Sequence, residues 1–533
     1  MAEVPGMSPW QRWTLVLVCT AVFMLLLDIT VVSVALPSIQ RDLRASLPDL
    51  QWVSAAYALV LAVLLLPAAT LGDRLGRRRL FLVGLVIFTA GALGAFGATL
   101  GGATAIGPLA GGVLTDTLGW RSIFFINLPI GVAAFAGGVA RLRESRDPAG
   151  GRADWVGTAL ITGALTALMF VLIRGNALGW ASPAIVALFA TAAVAFAGFV
   201  IYELRIAAAP MADLRLFARR SFAATGFVAF AISATVIGVI IYLSLYVQNT
   251  LGYSPVQAGL RFLPLSLASF AVALLTGRLI GKVAMRVLLG VAMVAAGLAS
   301  MAHLTATSTW LVLLPGFILA GIGLGVTSTG LASAALSAVE PAHAGMAAGL
   351  VNTLRQVGTA TGVAVLGALY ASRVTAATLP ALAGPPGAVH RLAAAVASGA
   401  GTRVAAVVPP AARAAVTHAA RAGTASGLND VLLAAAAFAA LGAIAGFAYG
   451  PDPASQPPSP APGDHSAQAA QPATAQHQAQ RPAGPKQRHH SPIKTSAQTR
   501  RLAPSEHPGA STPADWVQIP HSNRLRRTET TGS

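Results

Sequence analysis

Long apolar runs, broken by short clusters of arginine, fill the chain as far as Gly450. Twelve of them are candidate spans: 14–36, 53–71, 80–100, 123–140, 155–173, 185–202, 223–246, 257–277, 287–303, 310–331, 344–369 and 428–449. A bilayer core takes about 20 residues of helix to cross. Inside it there is no water for the backbone, so N–H and C=O groups must pair within the segment. The runs are therefore predicted helices, and the fold class is an all-α polytopic membrane protein.

Three regions depart from that rhythm. From Leu80 to Thr115 there are roughly 36 residues, about 54 Å of helix, too long for one ordinary span and short for two. The reading is one crossing followed by a re-entrant or surface-lying half-helix, "GGATAIGPLAGG". Residues 371–427 read as an alanine-rich extracellular linker, partly helical on the membrane surface. From Pro451 the chain turns to Pro, Ala, Gln and His, with too little apolar surface to offset the entropy of ordering, so 451–533 is a predicted disordered basic tail.

The arginine clusters set the orientation. "GDRLGRRR", "ARLRESRDPAGGRAD", "ELRIAAAPMADLRLFARR" and "RLIGKVAMR" are basic, and the positive-inside rule places them in the cytoplasm. "LGYSPV" and "TATST" carry no positive charge and fall outside. Both termini are then cytoplasmic, in a multi-pass protein of the plasma membrane. The N-terminal segment leads into an uncleaved first span rather than a signal peptide.

Composition agrees. The 533 residues are 55% hydrophobic and 10% charged, where soluble domains carry about 25% charged residues. The net charge of +18 is spread over inter-span clusters and the tail, which argues against a nucleic-acid partner. A single cysteine, Cys19, excludes an internal disulfide. No nucleophile elbow, catalytic carboxylate pair or cysteine–histidine set is present, so neither an enzyme, nor a metal, nor a cofactor is expected.

Two stretches resemble each other. "ATLGDRLGRRRLFLVG" and "GRLIGKVAMRVLLG" each follow one apolar run and lead into another, aligning Leu71 with Leu279, Arg74 with Lys282 and Arg78 with Arg286. Spaced repeats of this kind mark transporters built from related halves. In the first stretch Asp73 lies beside Arg74, Arg77 and Arg78, with Gly76 to close the turn. A carboxylate among guanidinium groups forms charge-assisted bonds across helix ends, which makes these residues a candidate cytoplasmic gate. Plain topology signals are the alternative.

Asp28 lies past the middle of the first span. An ionisable side chain in hydrocarbon costs about 2.5–3.5 kcal/mol on insertion scales and is functional by default. It is a candidate proton or substrate group; a structural aspartate bonded to Thr30 or to a neighbouring helix is the alternative. Arg355, with Asn352 and Gln356 beside it, falls near mid-depth of its span and needs an anionic partner, for which Asp28 is available. Pro108 kinks a helix, and Gly107, Gly111 and Gly112 let another helix approach it. Gly321, Gly323 and Gly325 read as packing glycines rather than a phosphate loop. Trp52, Trp120, Trp155 and Trp310 read as an interfacial belt.

"ATLGDRLGRRR" resembles the loop signature of the major facilitator superfamily, with Ala69 in place of its first glycine. "LDITVVSVALP" resembles the first-span signature of the fourteen-span drug:proton antiporters, with Ser33 where asparagine is usual. "GPLAGG" is similar to their fifth-span antiporter motif, and "GWRSIFFINLP", "YVQNTLGYSPVQAGLRFLP" and "GLVNTLRQVGTATGVAVLG" follow the same habits. The resemblance implies a major facilitator fold of two pseudo-symmetric helical bundles, here with about 12–13 membrane segments. The family's fourth span and its arginine are absent between "FGATLGG" and "GPLAGG", which leaves proton coupling open. The implied organisation is an N-terminal bundle over 1–142, two extra linker spans over 143–217, a C-terminal bundle over 218–450 and the tail. The implied function is export of an amphipathic drug or antibiotic by proton antiport, in a monomer; a same-fold uniporter or importer and a transport-inactive receptor are the alternatives.

Overall fold

The computed structural model describes residues 8–96, 115–116, 119–146, 154–207, 210, 212–276, 283–337, 344–382, 386–401, 404–405 and 408–448. Among them there are α-helices, short 3-10 and π turns, and no strand. In chain order the helices are α1 (Pro9–Leu43), α2 (Leu47–Leu75), α3 (Arg77–Phe96), α4 (Asn127–Arg141), α5 (Trp155–Leu178), α6 (Pro183–Ile201) and α7 (Arg220–Leu245). They continue with α8 (Pro255–Thr276), α9 (Val283–Ser300), α10 (Leu314–Ser337), α11 (Ala344–Thr378), α12 (Pro386–Ala397) and α13 (Pro410–Ala448). Nine candidate spans among the described residues are long and apolar enough to cross a bilayer, and Met285–Ser300 is a shorter apolar helix. A helix stands on each of the twelve expected runs.

Local chemistry explains where the helices start and stop. Ser8 and Gln11 form a capping box at the head of α1, the Ser8 N–H donating to Gln11 Oε1 at 2.9 Å. Arg44 leaves α1 in the left-handed region at φ 52°, and a second capping box, Ser46 N–H to Asp49 Oδ2 at 2.9 Å, starts α2 at once. Asp154 caps α5 through the Gly157 N–H at 2.8 Å. Gly76, at φ 114°, separates α2 from α3, a conformation that an L side chain adopts only under strain.

The packing has two sides and a bridge. On one side α4 packs against α1 and α3. On the other, α7, α9, α10, α11 and α13 pack closely, with α8 against α10. Glycines set these approaches. A Cβ on Gly362 of α11 would meet the Ala234 backbone of α7, and one on Gly290 or Gly297 of α9 would meet the backbone of α10 at Gly323 and Ala320. Gly321 and Gly325 face the α8 backbone in the same manner, as expected of packing glycines. The bridge is α5, which pairs with α6 and touches both α2 and α11; α2 also packs on α11, and α1 on α7. Tyr242, Tyr246, Tyr370, Phe222 and Phe317 are among the largest fully buried side chains, and all belong to the second side. Leu15, Val18, Val22 and Phe23 of α1 remain exposed, the ordinary state of an apolar face that meets lipid.

One expectation is corrected. The stretch 371–427 is mostly helix: α11 runs to Thr378, α12 occupies Pro386–Ala397, and α13 begins at Pro410 rather than near Leu428. At 39 residues, α13 is about 58 Å long and outruns a bilayer core of about 30 Å. Alanine, the best helix former, carries the extension where hydropathy is too low to mark a span. Trp120, read as a belt residue, donates its Nε1–H to Asp42 Oδ2 at 2.9 Å and lines a cavity. The half-helix at 101–112, the aligned residues Leu279 and Lys282, and the tail 451–533 lie outside the described residues.

Candidate functional site

Asp28 sits on α1, buried, with 9% of its surface exposed. Asn127 opens α4 beside it, and its Nδ2–H donates to Asp28 Oδ1 at 2.9 Å. The partner of Asp28 is thus on a neighbouring helix, and it is Asn127. The Thr30 side chain lies outside the described ones. Asn127 belongs to "GWRSIFFINLP", a motif visible in the sequence; a polar residue inside so apolar a run was the signal that it has a task.

Asp28 stands at a cavity of about 270 Å³. Its wall is mostly apolar, with Val32 and Ile39 of α1, Val53 of α2 and Ile237 and Ile241 of α7. Its polar members are few: Asp28, Ser33, Ser54, Tyr57, Gln356 and Thr359. The Tyr57 hydroxyl is buried and has no hydrogen-bond partner. An apolar chamber with a few converging polar groups is the general form of a small-molecule site.

The expected α11 residues divide. Gln356 lines the cavity together with Thr359, which the sequence reading did not single out. Asn352 and Arg355 lie nearer the start of α11 and do not line it. The expected Asp28–Arg355 ion pair is not among the salt bridges of the described residues; the acid is held by a neutral amide instead.

At the opposite end of α1–α4, the arginine turn is pinned in place. Arg77 Nε–H donates to Asp73 Oδ1 at 2.7 Å, bridging the helix break at Gly76. The Arg78 N–H donates to Glu144 Oε1 at 3.0 Å and its Nη2–H to the Val139 carbonyl at 2.8 Å. Arg79 approaches Glu144 at 3.7 Å. Arg74 is exposed. The turn is thus bonded to the end of α4, and Glu144 is a member that the sequence reading missed, 66 residues away in a loop noted only for its arginines. Gly76 is fixed twice, by its positive φ and because a Cβ there would strike the Glu144 carboxylate. Gly107, Pro108, Gly111 and Gly112 lie outside the described residues.

The hydrogen bonds that join the two sides gather at the end of the molecule that carries α12. Gln248 Nε2–H donates to the Val34 carbonyl at 2.8 Å, and Asn249 Nδ2–H to Gln40 Oε1 at 3.1 Å. Gln40 in turn donates to the Ser398 carbonyl just past α12. Slightly deeper, Gln51 of α2 donates to the Tyr242 hydroxyl at 3.2 Å, and Tyr242 donates to the Val363 carbonyl at 2.5 Å.

Two helical sides around an apolar chamber with one buried acid define a multi-pass membrane transporter. Residues 18–99 and 89–363 match the Major Facilitator Superfamily, and the chain belongs to that family. It is 34% identical over 415 residues to the tetracenomycin C resistance and export protein of Streptomyces glaucescens, covering 69% of this chain and 77% of that one. The multidrug resistance protein Stp of Mycobacterium tuberculosis is 34% identical over 425 residues, covering 70% and 79%. The puromycin resistance protein pur8 of Streptomyces alboniger is 33% identical over 419 residues, covering 68% and 83%.

Proposed function

We propose that the chain exports an amphipathic drug or antibiotic across the plasma membrane, in exchange for protons, by alternating access of its two sides. The observation that carries the reading is Asp28, a buried acid with a neutral amide partner at the wall of an apolar chamber. A carboxyl so placed takes up and releases a proton without breaking an ion pair. The names of the relatives, which are resistance and export proteins for tetracenomycin C, puromycin and multiple drugs, support the substrate class.

The positive-inside rule makes the arginine turn cytoplasmic and the α12 end external, with both termini inside. The inter-side bonds at the α12 end then hold the outer exit shut. The Asp73–Arg77–Arg78–Glu144 cluster stiffens the inner end of the N-terminal bundle, 1–142, against the C-terminal bundle, 218–450, with the linker spans of 143–217 between them. The membrane potential supplies about 2.3 kcal/mol per charge per 100 mV. One net charge moved per cycle sustains a gradient of roughly 50-fold at ~1.4 kcal/mol per decade.

A same-fold uniporter is the second reading. It is favoured by the missing fourth span and by the break of the family match into two stretches that overlap at 89–99. One experiment separates the two: resistance profiles for puromycin and tetracenomycin C in cells that carry the intact chain or Asp28→Asn, each with and without a protonophore. Antiport predicts that Asp28→Asn returns resistance to the empty-vector level and that the protonophore raises drug accumulation. Accumulation indifferent to both changes replaces antiport with uniport.

A further inference from the structure

The α12 end holds a second cavity, of about 750 Å³, walled by α2, α5, α11 and α12. It shares no lining residue with the Asp28 cavity. Its volume falls within the range of about 300–1,000 Å³ that takes drug-sized molecules. Ile173 and Ala177 of α5, Ala371 of α11 and Leu379 in the turn just past it make apolar walls, while Gln51 and Thr375 offer hydrogen bonds. Arg391 of α12 brings a guanidinium, and no carboxylate is among the described lining residues. The nearest acid on α2, Asp49, is engaged by Arg174 at 3.4 Å.

The two chambers lie along the same pair of helices. On α11, Gln356 of the first and Gly367 of the second are three turns apart on one face, about 16 Å by helix rise. On α2, Ala58 and Gln51 are two turns apart on one face, about 10 Å. The partition between them is made of Ala55, Ala58, Ala360 and Ala364, buried against Met169 and Ile173. On α2 and α11 its buried members are alanine methyl groups, with Trp52 packed against them, and the Gln51–Tyr242 hydrogen bond lies on its outer side.

We infer that the second cavity is an outer binding site for amphipathic acids, molecules with an apolar body and a carboxylate, phenolate or sulfonate, held after they pass the alanine partition. The guanidinium, at the exposed rim of the chamber, selects the acid by its charge and its planar fork of donors. The α12 wall lies beyond residue 363, outside the stretches that match the family. The site's place on an export path rests on the export reading above; its binding chemistry does not.

The test uses the full chain in lipid nanodiscs and 8-anilino-1-naphthalenesulfonate, fused and pendant rings bearing one sulfonate, measured by equilibrium dialysis against empty nanodiscs. Ala371→Trp fills the chamber and removes one bound dye. Arg391→Gln weakens that dye about tenfold, the scale of one charged hydrogen bond. Tyr57→Trp, in the other cavity, leaves it in place. Dye binding unchanged by both Ala371→Trp and Arg391→Gln overturns the site. If Ala371→Trp fails to fold, Arg391→Gln at an exposed position still decides. A phospholipid retained by the wild type in native mass spectrometry, and released only by Ala371→Trp, makes the chamber a lipid seat and also overturns it. Wild-type vesicles that move no drug, while Arg391→Gln still weakens the dye, leave the site standing and sink the export reading alone.

Discussion

Residues 8–146 and the bundle of α7–α11 with α13 are built on opposite economies. In Arg220–Thr250, which contains α7, 83% of the apolar stretch is buried inside the protein, against 33% in α2. Residues 1–142 carry Glu3, Asp28, Asp42, Asp49, Asp73 and Asp116, whereas 218–450 carry Glu340 and Asp430 alone. On the second side glycines set helix against helix backbone and large rings are buried, with one ion pair, Arg373–Asp430; on the first, the α4 glycines Gly131, Gly137 and Gly138 meet side chains of α1 and α3, beside the Asp73–Arg77 and Asp28–Asn127 bonds. In lipid, burial of apolar surface no longer drives helices together, so close packing and polar bonds carry association. The comparison shows those two means in different proportion: a side richer in backbone-close packing and one that holds most of the acids.

The sharpest way to break that contrast is to crowd the packed side. Gly362→Leu forces a side chain into the α7 backbone at Ala234, and overpacking of this kind costs about 1–3 kcal/mol or more. Thermal unfolding in detergent should show it as the largest fall in midpoint of the series. Asn127→Leu, on the other side, leaves Asp28 buried without its donor, a loss of about 1–3 kcal/mol. Its distinctive sign is that Asp28→Asn restores stability in the double variant without restoring resistance. Tyr242→Phe removes the hydroxyl that links α2, α7 and α11, at about 1 kcal/mol, and should open the outer end to a thiol reagent aimed at a cysteine placed at Ser398. Smallest is Arg77→Ala: the pair is 66% and 34% exposed and contributes about 0.2–1 kcal/mol, so unfolding barely moves. A large stability loss there would dissolve the distinction between the sides.

The helices were legible because hydrocarbon leaves the backbone no other choice, and every expected run is a helix. Asp28 was legible as a candidate because an acid in such a run is costly to bury. Its partner was not, since an asparagine has no such signature and pairing across 99 residues is a property of the fold. Glu144 was hidden for the same reason, a single acid in a loop read only for its positive charges. The extended α13 escaped because hydropathy measures what lipid will accept, whereas Pro410–Gly427 is helical by propensity in a region too polar to register. Arg355 was read as needing the available acid, yet among the described residues no ion pair joins it to Asp28, which Asn127 holds instead.

One consequence follows from the bridging helix α5. Arg174 reaches Asp49 on α2 at 3.4 Å, and Asn176 Nδ2–H donates to the Ala368 carbonyl on α11 at 2.7 Å. A single short length of helix is thus tethered to both bodies at once. Parting α2 from α11 therefore requires stretching one tether or carrying α5 along.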